Sequence, residues 1–329
     1  MSTVIVHADA GLKEGWGHLR ESFEIAKALR VRGVECLVVV PAEFPEAADE
    51  ASKLGFAVAP LPASDWQAGG EPAQLLRLIG SSGARHLVCD LLKVEPAYAK
   101  GVGPAVEGWA VATELPEDEV GTLNFNNSLR PEHFPLGEGY RGAVARTVRG
   151  DVSQVLVCYG GADSQNVTGH TLELLRASVA SENLRIVAVL GPLFGDEPAV
   201  RATVADYPVP VEVLGPLTPH ELAQVAVESD IAITTSGGTM YEFCSLGLPC
   251  IVVPILAKHE TNARVLEERG AVVRTSIHDK LTDAELTDAV RRLQPEAARQ
   301  AIATAAQREI DGMGAVRIAE RLCEEWGIG

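Results

Sequence analysis

TVIVHADAGLKEGWGHLRESFEIAKALRVRG, residues 3–33, is the stretch on which the fold turns. TVIVHAD (3–9) is a short, β-rich apolar run, and a loop bearing Gly15 and Gly17 follows it. HLRESFEIAKALRVRG (18–33) then has helical periodicity and closes on Gly33. Strand, glycine-bearing loop and helix in that order open a βαβ unit. The alternation continues downstream with strand-like runs ECLVVVP (35–41), AVAPL (57–61), HLVCDLL (86–92) and WAVATEL (109–115), and a helical stretch PAQLLRLIGSSG (72–83). Because these runs are continuously apolar rather than alternating, they read as strands of a parallel sheet buried on both faces.

Residues 116–150 break the rhythm with PEDE, the Asn-rich LNFNNS, prolines and glycines, and read as loops leading into a linker. A second series begins at QVLVCYG (154–160) and runs through LRIVAVLG (184–191), VEVLG (211–215), IAITTS (231–236), CIVVPIL (250–256) and AVVRTS (271–276). Two more helices are expected at 282–311 and 315–326. The expected architecture is α/β, with two Rossmann-like doubly wound domains, 1–150 and 151–329. The last helix is a candidate to pack back on the first domain.

Composition narrows the function classes. The chain has 329 residues, 47% of them hydrophobic and 22% charged, which is that of a packed globular protein. A net charge of −17 argues against a nucleic-acid surface. It leaves room for one small anion held by backbone amides and helix N-termini. Cys36, Cys89, Cys158, Cys244, Cys250 and Cys323 form no Cys-x-x-Cys pair, and read as free thiols. The N-terminus opens directly as a strand without a basic, apolar leader, and no apolar run approaches the length of about 20 residues that crosses a bilayer. The expectation is a cytoplasmic protein with no integral membrane segment.

In open α/β sheets ligands bind beyond the carboxyl ends of the strands, and four such loops carry unusual residues. The first runs from Asp9 through Gly15, Gly17 and His18 to Arg20. The dinucleotide pattern G-x-G-x-x-G is incomplete because Arg20 stands at its last position, which turns the reading away from a nicotinamide enzyme. A histidine at a helix start lies near the positive end of the helix dipole, which favours the neutral imidazole. His18 is therefore the candidate general base, the alternative being a histidine that bonds its own loop.

The second loop, Gly160-Gly161-Ala-Asp163-Ser-Gln-Asn166-Val-Thr168, reads equally as a ligand loop or as a βα turn whose Asp163 caps the helix. In the third, Thr234-Thr235-Ser236-Gly237-Gly238-Thr239, hydroxyls and a helix start offer donors for a diphosphate, and Glu242 lies one turn on, within reach of ribose hydroxyls or serving the helix dipole. The fourth, Lys258-His259-Glu-Thr-Asn262, opens the next helix, in ligand contact or in plain capping. No H-x-x-x-H or Asp-x-Asp pair suggests a metal, no G-x-S-x-G elbow a serine nucleophile, and no cofactor is expected. His86, His133, His170, His220 and His278 read as structural or surface residues.

Glu14-Gly-Trp-Gly-His18-Leu-Arg20 with Asp9 upstream resembles the glycine-rich His loop of the PseG/SpsG family, and GGADSQNVT (160–168) is similar to that family's Gly-Gly-x-Asp-x-x-Asn-x-Thr loop. Ser236-Gly-Gly-Thr239 through Glu242, then CSLGLPCIVV, resembles the nucleotide-binding segment of MurG-type glycosyltransferases, and Asp90 falls where the family carries an Asp. The resemblance implies a GT-B fold, two domains facing across a cleft, and a nucleotide-diphosphate sugar, UDP favoured, held mainly by domain two. It implies that His18 activates water, that the amides of Gly237, Gly238 and Thr239 stabilise the leaving nucleoside diphosphate, that Glu242 binds the ribose, and that no metal takes part. Two departures stand out: Lys258-His259 where the hydrolases show Asn-Gln, and TELPEDE (113–119) where they carry an Asp-Asp pair. The leading expectation is a metal-independent nucleotide-sugar hydrolase. The alternatives are a glycosyltransferase with a hydroxyl acceptor and a non-catalytic nucleotide-sugar-binding protein.

Overall fold

A computed structural model of the chain describes residues 2–11, 16–67, 72–112, 123–127, 129–141, 147–176, 183–256 and 260–329. They form two compact units, Met1–Leu136 with Met313–Gly329, and Gly137–Gly312. The first unit holds β1 (Thr3–Ala8), β2 (Glu35–Pro41), β3 (Ala57–Leu61), β4 (His86–Asp90), β5 (Gly108–Val111) and β6 (Leu123–Asn124). They pair in parallel in the order β3-β2-β1-β4-β5-β6. The second holds β7 (Gln154–Cys158), β8 (Arg185–Val189), β9 (Val211–Leu214), β10 (Ile231–Thr234), β11 (Cys250–Val252) and β12 (Val273–Arg274), also parallel, in the order β12-β11-β10-β7-β8-β9.

Burial explains why the strands read as unbroken apolar runs. Val4, Val6 and Ala8 of β1 pack on one face of the sheet with Leu19, Phe23 and Ala26 of the helix Gly17–Val31. Ile5, with Leu87 and Cys89 of β4, packs on the other face against Trp66, Leu75 and Tyr98. Successive side chains thus alternate between two cores, so both faces of the strand are buried.

The expected helix over 282–311 is two helices, Asp283–Arg292 and Glu296–Glu309, broken at Pro295, whose ring disfavours a helical Gln294 and offers no amide. The two-residue β6 lies inside the tract that reads as loop. The last helix, Gly314–Trp326, lays Ile318 and Leu322 beside Leu19 and Phe23. Its Trp326 indole stacks on His86, centroids 4.7 Å apart, and fills the space a side chain at Gly108 would need. The chain just before β7 is tied into the second unit: Asp230 accepts from Arg149 Nε at 2.7 Å, and buried Arg299 donates to the carbonyl of Gly150 at 2.8 Å. That anchoring places the unit boundary earlier than residue 150.

Both strand orders reverse at one place. In the first unit the chain lays β1, β2, β3 outward, then restarts at β4 beside β1; in the second it lays β7, β8, β9, then restarts at β10 beside β7. Each reversal leaves a crevice beyond the strand ends where crossover loops part to opposite faces.

Candidate functional site

At the first crevice the parallel register sets Ala8 against Asp90, and the amide of Asp9 donates to the Asp90 carbonyl at 3.2 Å. Asp90 therefore ends its strand beside the loop that leads to His18. His18 Nδ1 lies 2.7 Å from Asp90 Oδ1; the carboxylate is fully buried and the imidazole 21% exposed. The second oxygen of Asp90 is buried with no hydrogen-bond partner among the described residues. Burial alone would lower the His18 pKa. The charge of Asp90 and its hydrogen bond, then the charges of Glu21 and Asp9, outweigh it and carry the pKa up to about 9. This overturns the neutral imidazole expected from the helix start: an adjacent buried carboxylate acts more strongly than a helix dipole. At pH 7 His18 is an imidazolium paired with Asp90.

Asp9, the expected upstream partner, faces elsewhere. Its Oδ1 accepts from Trp66 Nε1 at 2.7 Å and Gln67 Nε2 at 3.3 Å, and its Oδ2 from the amide of Leu92 at 2.8 Å. It ties the ends of β1 and β4 to the short helix Ser64–Gln67. His7, passed over in the sequence, is buried with Nδ1 2.8 Å from the Tyr98 hydroxyl and its ring edge-on to Trp66. Burial, opposed by Asp9 and Asp65, lowers its pKa to about 4, so it is neutral. Gly17 and Arg20 are both exposed at the start of their helix, and a Cβ on Gly17 would meet open space. One turn past His18, Glu21 accepts from Asn127 Nδ2 at 2.7 Å. The sequence flagged Asn127 only through its Asn-rich surroundings.

At the second crevice the loops after β7 and β10 adjoin. Gly160 takes φ +79°, open mainly to glycine, and a Cβ there would sit 3.3 Å from Thr239 Oγ1. Gly191, after β8, is held even closer: a Cβ would overlap the carbonyl oxygens of Gly160 and Gly161. Asp163 and Asn166 cap the helix that follows. Asp163 accepts from the amides of Val167 and Thr168 at 2.8 and 2.9 Å and from the Thr168 hydroxyl at 2.7 Å. Asn166 accepts from the Gly169 amide at 3.0 Å. Between them they fill the N-terminus of the helix Val167–Leu175.

The helix Gly238–Ser245 is built differently. Gly237 caps it with no side-chain hydrogen bond, and the hydroxyls of Thr234, Thr235 and Ser236 just before it are buried with no partner among the described residues. An uncapped helix start behind three unpaired hydroxyls is a ready anion cradle. Asn262 Nδ2 braces it by donating to the Ser236 carbonyl at 3.1 Å, so its amide is turned to backbone. Glu242, half-buried one turn into the helix, lies close enough to β7 that its charge adds to burial in raising the Cys158 thiol to about 12. Lys258 and His259, like residues 113–119, lie outside the described residues. Among the described residues no three His, Cys, Asp or Glu side chains converge as a metal-ligand set, and no helix is long and apolar enough to cross a membrane.

Residues 207–322 match the model of the glycosyltransferase family 28 C-terminal domain. Acinetobacter baumannii MurG superposes with a TM-score of 0.68 at 14% identity, over 98% of this chain and 99% of that one. A Staphylococcus aureus MnaA–UDP co-structure superposes with a TM-score of 0.65 at 14% identity, over 100% and 98%. The chain has the GT-B fold. Among curated proteins, the Bacillus subtilis spore coat polysaccharide biosynthesis protein SpsG is 21% identical over 52% of this chain and 50% of its own length. An uncharacterized protein of Methanocaldococcus jannaschii is 22% identical over 76% and 55%. The chain thus spans about half the length of the curated relatives it matches. Within this GT-B chain both candidate constellations occupy the switch points of their own sheets, His18–Asp90 at β1–β4 and Gly160–Thr239 at β7–β10.

Proposed function

We propose that this chain is a metal-independent enzyme acting on a nucleotide-diphosphate sugar, and that it hydrolyses the bond between sugar and nucleoside diphosphate. The observation that carries the reading is the His18–Asp90 pair at the β1–β4 switch point. A carboxylate accepting from Nδ1–H fixes the tautomer and leaves Nε2 to exchange protons, the logic of a base held by an orienting acid. In this reading neutral His18 takes a proton from water as oxygen attacks the sugar's anomeric carbon. The electron pair of the breaking C–O bond leaves with the nucleoside diphosphate, which the second unit binds through the amides of Gly237, Gly238 and Thr239 and the hydroxyl of Ser236, with Glu242 on the ribose. The S. aureus neighbour, whose structure contains UDP, favours UDP as the nucleotide.

Because His18 rests as an imidazolium, the base form is the minor species at pH 7. Turnover then rises with pH along a one-proton limb and levels above about 9. A rate falling through the same pH would assign His18 the role of a proton or charge donor instead.

A second reading, transfer of the sugar to a hydroxyl acceptor, is favoured by the family 28 match over residues 207–322. The same imidazole would deprotonate that hydroxyl. Incubation with UDP-, dTDP- and GDP-sugars in the absence of acceptor separates the two: prompt nucleoside diphosphate release supports hydrolysis, and slow release accelerated by an added acceptor supports transfer. His18→Asn, whose amide nitrogen stands near the Nδ1 position and keeps a donor to Asp90, should lower turnover by about 10²–10⁴-fold with nucleotide affinity held within a few fold. Nucleotide binding without turnover on every donor, or unchanged turnover in the variant, overturns the reading.

A further inference from the structure

Glu21 stands three residues after His18 on the helix Gly17–Val31, so both project from one helical face. Its Oε2 is gripped by Asn127, at 2.7 Å, from a separate stretch of chain. That asparagine is fixed in turn. Its amide donates to the carbonyl of Ala112 at 3.2 Å, continuing the contact that Phe125 makes with Val111 at 2.9 Å, and its side chain is buried. A half-buried helical carboxylate free to choose its rotamer would serve the surface; one fastened by a buried amide donor keeps its charge in one place.

We propose that Glu21, oriented by Asn127, is a positioning residue for His18, a second carboxylate beside Asp90 that governs how readily the imidazole takes and releases its proton. This rests on the reading of His18 as the proton-transferring group. Three acids act on the imidazole through their charge: Asp90 at the end of β4, Glu21 on its own helix, and Asp9 just past β1, whose carboxylate is turned away from it. Asp90 is bonded to the imidazole itself, and Asp9 is fastened by Trp66, Gln67 and the Leu92 amide. Glu21 is held by a side chain on the loop after β6, so the placement of that loop sets the charge beside His18.

The test is an NMR titration of the His18 ring in the full chain, compared with Glu21→Gln and Asn127→Ala, with thermal melts to confirm folding. Glu21→Gln keeps an oxygen for Asn127 to donate to, so loop docking survives while the charge goes. The His18 midpoint should fall by at least about half a pH unit. Asn127→Ala removes this one donor while the carboxylate stays, and should produce a smaller fall in the same direction. An unmoved midpoint in folded Glu21→Gln overturns the proposal; if that variant does not fold, an unmoved midpoint in Asn127→Ala does so. Neither result depends on activity. A protein inactive on every donor would sink the functional reading and leave this titration to be judged separately.

Discussion

At the β1–β4 crevice each acid side chain has an assigned donor: Asp90 the imidazole of His18, Asp9 an indole and a backbone amide, Glu21 the amide of Asn127. At the β7–β10 crevice Asp163 is committed to a helix cap, and the groups left over are hydroxyls and an uncapped helix start. The contrast has a physical meaning. Buried charges are tolerable only when paired, and pairing also fixes geometry, so the first crevice is organised before any ligand arrives. A buried polar group without a partner costs about 1–3 kcal/mol, a large share of a net stability of roughly 5–15 kcal/mol. Among the described residues Thr234, Thr235 and Ser236 have no such partner, so an acceptor brought to them would be bonded at little desolvation cost.

Breaking the ion pair should have the largest effect. In Asp90→Asn the imidazole loses the nearest charge that holds it protonated, and burial drives its pKa down from the wild-type value of about 9. The folded pKa is raised, so the pair's contribution to stability is complete below about 6.5 and is lost as pH climbs through about 9. The difference in Tm between wild type and variant should accordingly be widest at about pH 6.5 and narrow by pH 10, with turnover reduced at least about 10²-fold. Two Tm curves that stay parallel across this range would mean that His18 and Asp90 are not paired as ions.

Next in size is the loss of a cap. Asp163→Ala removes an acceptor from two amides and a hydroxyl and should cost about 1–2 kcal/mol in denaturant unfolding, while nucleoside diphosphate affinity measured by calorimetry stays within a few fold. A collapse of affinity at unchanged stability would turn Asp163 into a ligand contact and erase the distinction between the crevices.

Strand position was legible because each β-rich run meets apolar packing on both faces; ECLVVVP and AVAPL match β2 and β3 residue for residue. Pairing across the sheet was not. Asp9 and Asp90 both read as acids at strand ends, and only the register of β1 on β4, with the direction of each side chain, gives His18 to Asp90. The protonation state followed from that partner, so a dipole argument based on position alone gave the wrong sign. Asp163 carried two readings in the sequence because a capping acid and a ligand-binding acid occupy the same place after a strand. His7 escaped notice because a histidine inside an apolar run has no local signature; its bond to Tyr98 spans 91 residues.

The smallest effect on folding, and the sharpest on binding, belongs to two glycines. Gly237 adopts φ −95° and ψ −163°, an extended conformation open to any residue. A Cβ there would meet Thr235 Cγ2 at 3.9 Å, and one on Gly161 would meet nothing within 4 Å. Neither backbone strain nor packing requires glycine at these positions, unlike Gly160 with its positive φ or Gly191 against two carbonyls. Gly237→Ala and Gly161→Ala should therefore change stability by less than about 1 kcal/mol, in the stabilising direction where unfolded-chain entropy dominates. If the second crevice admits a diphosphate against its backbone, the added methyl at Gly237 stands where a phosphate oxygen approaches, and affinity should drop about tenfold or more, roughly 1.4 kcal/mol. Equal affinity in Gly237→Ala would place the ligand away from this helix start.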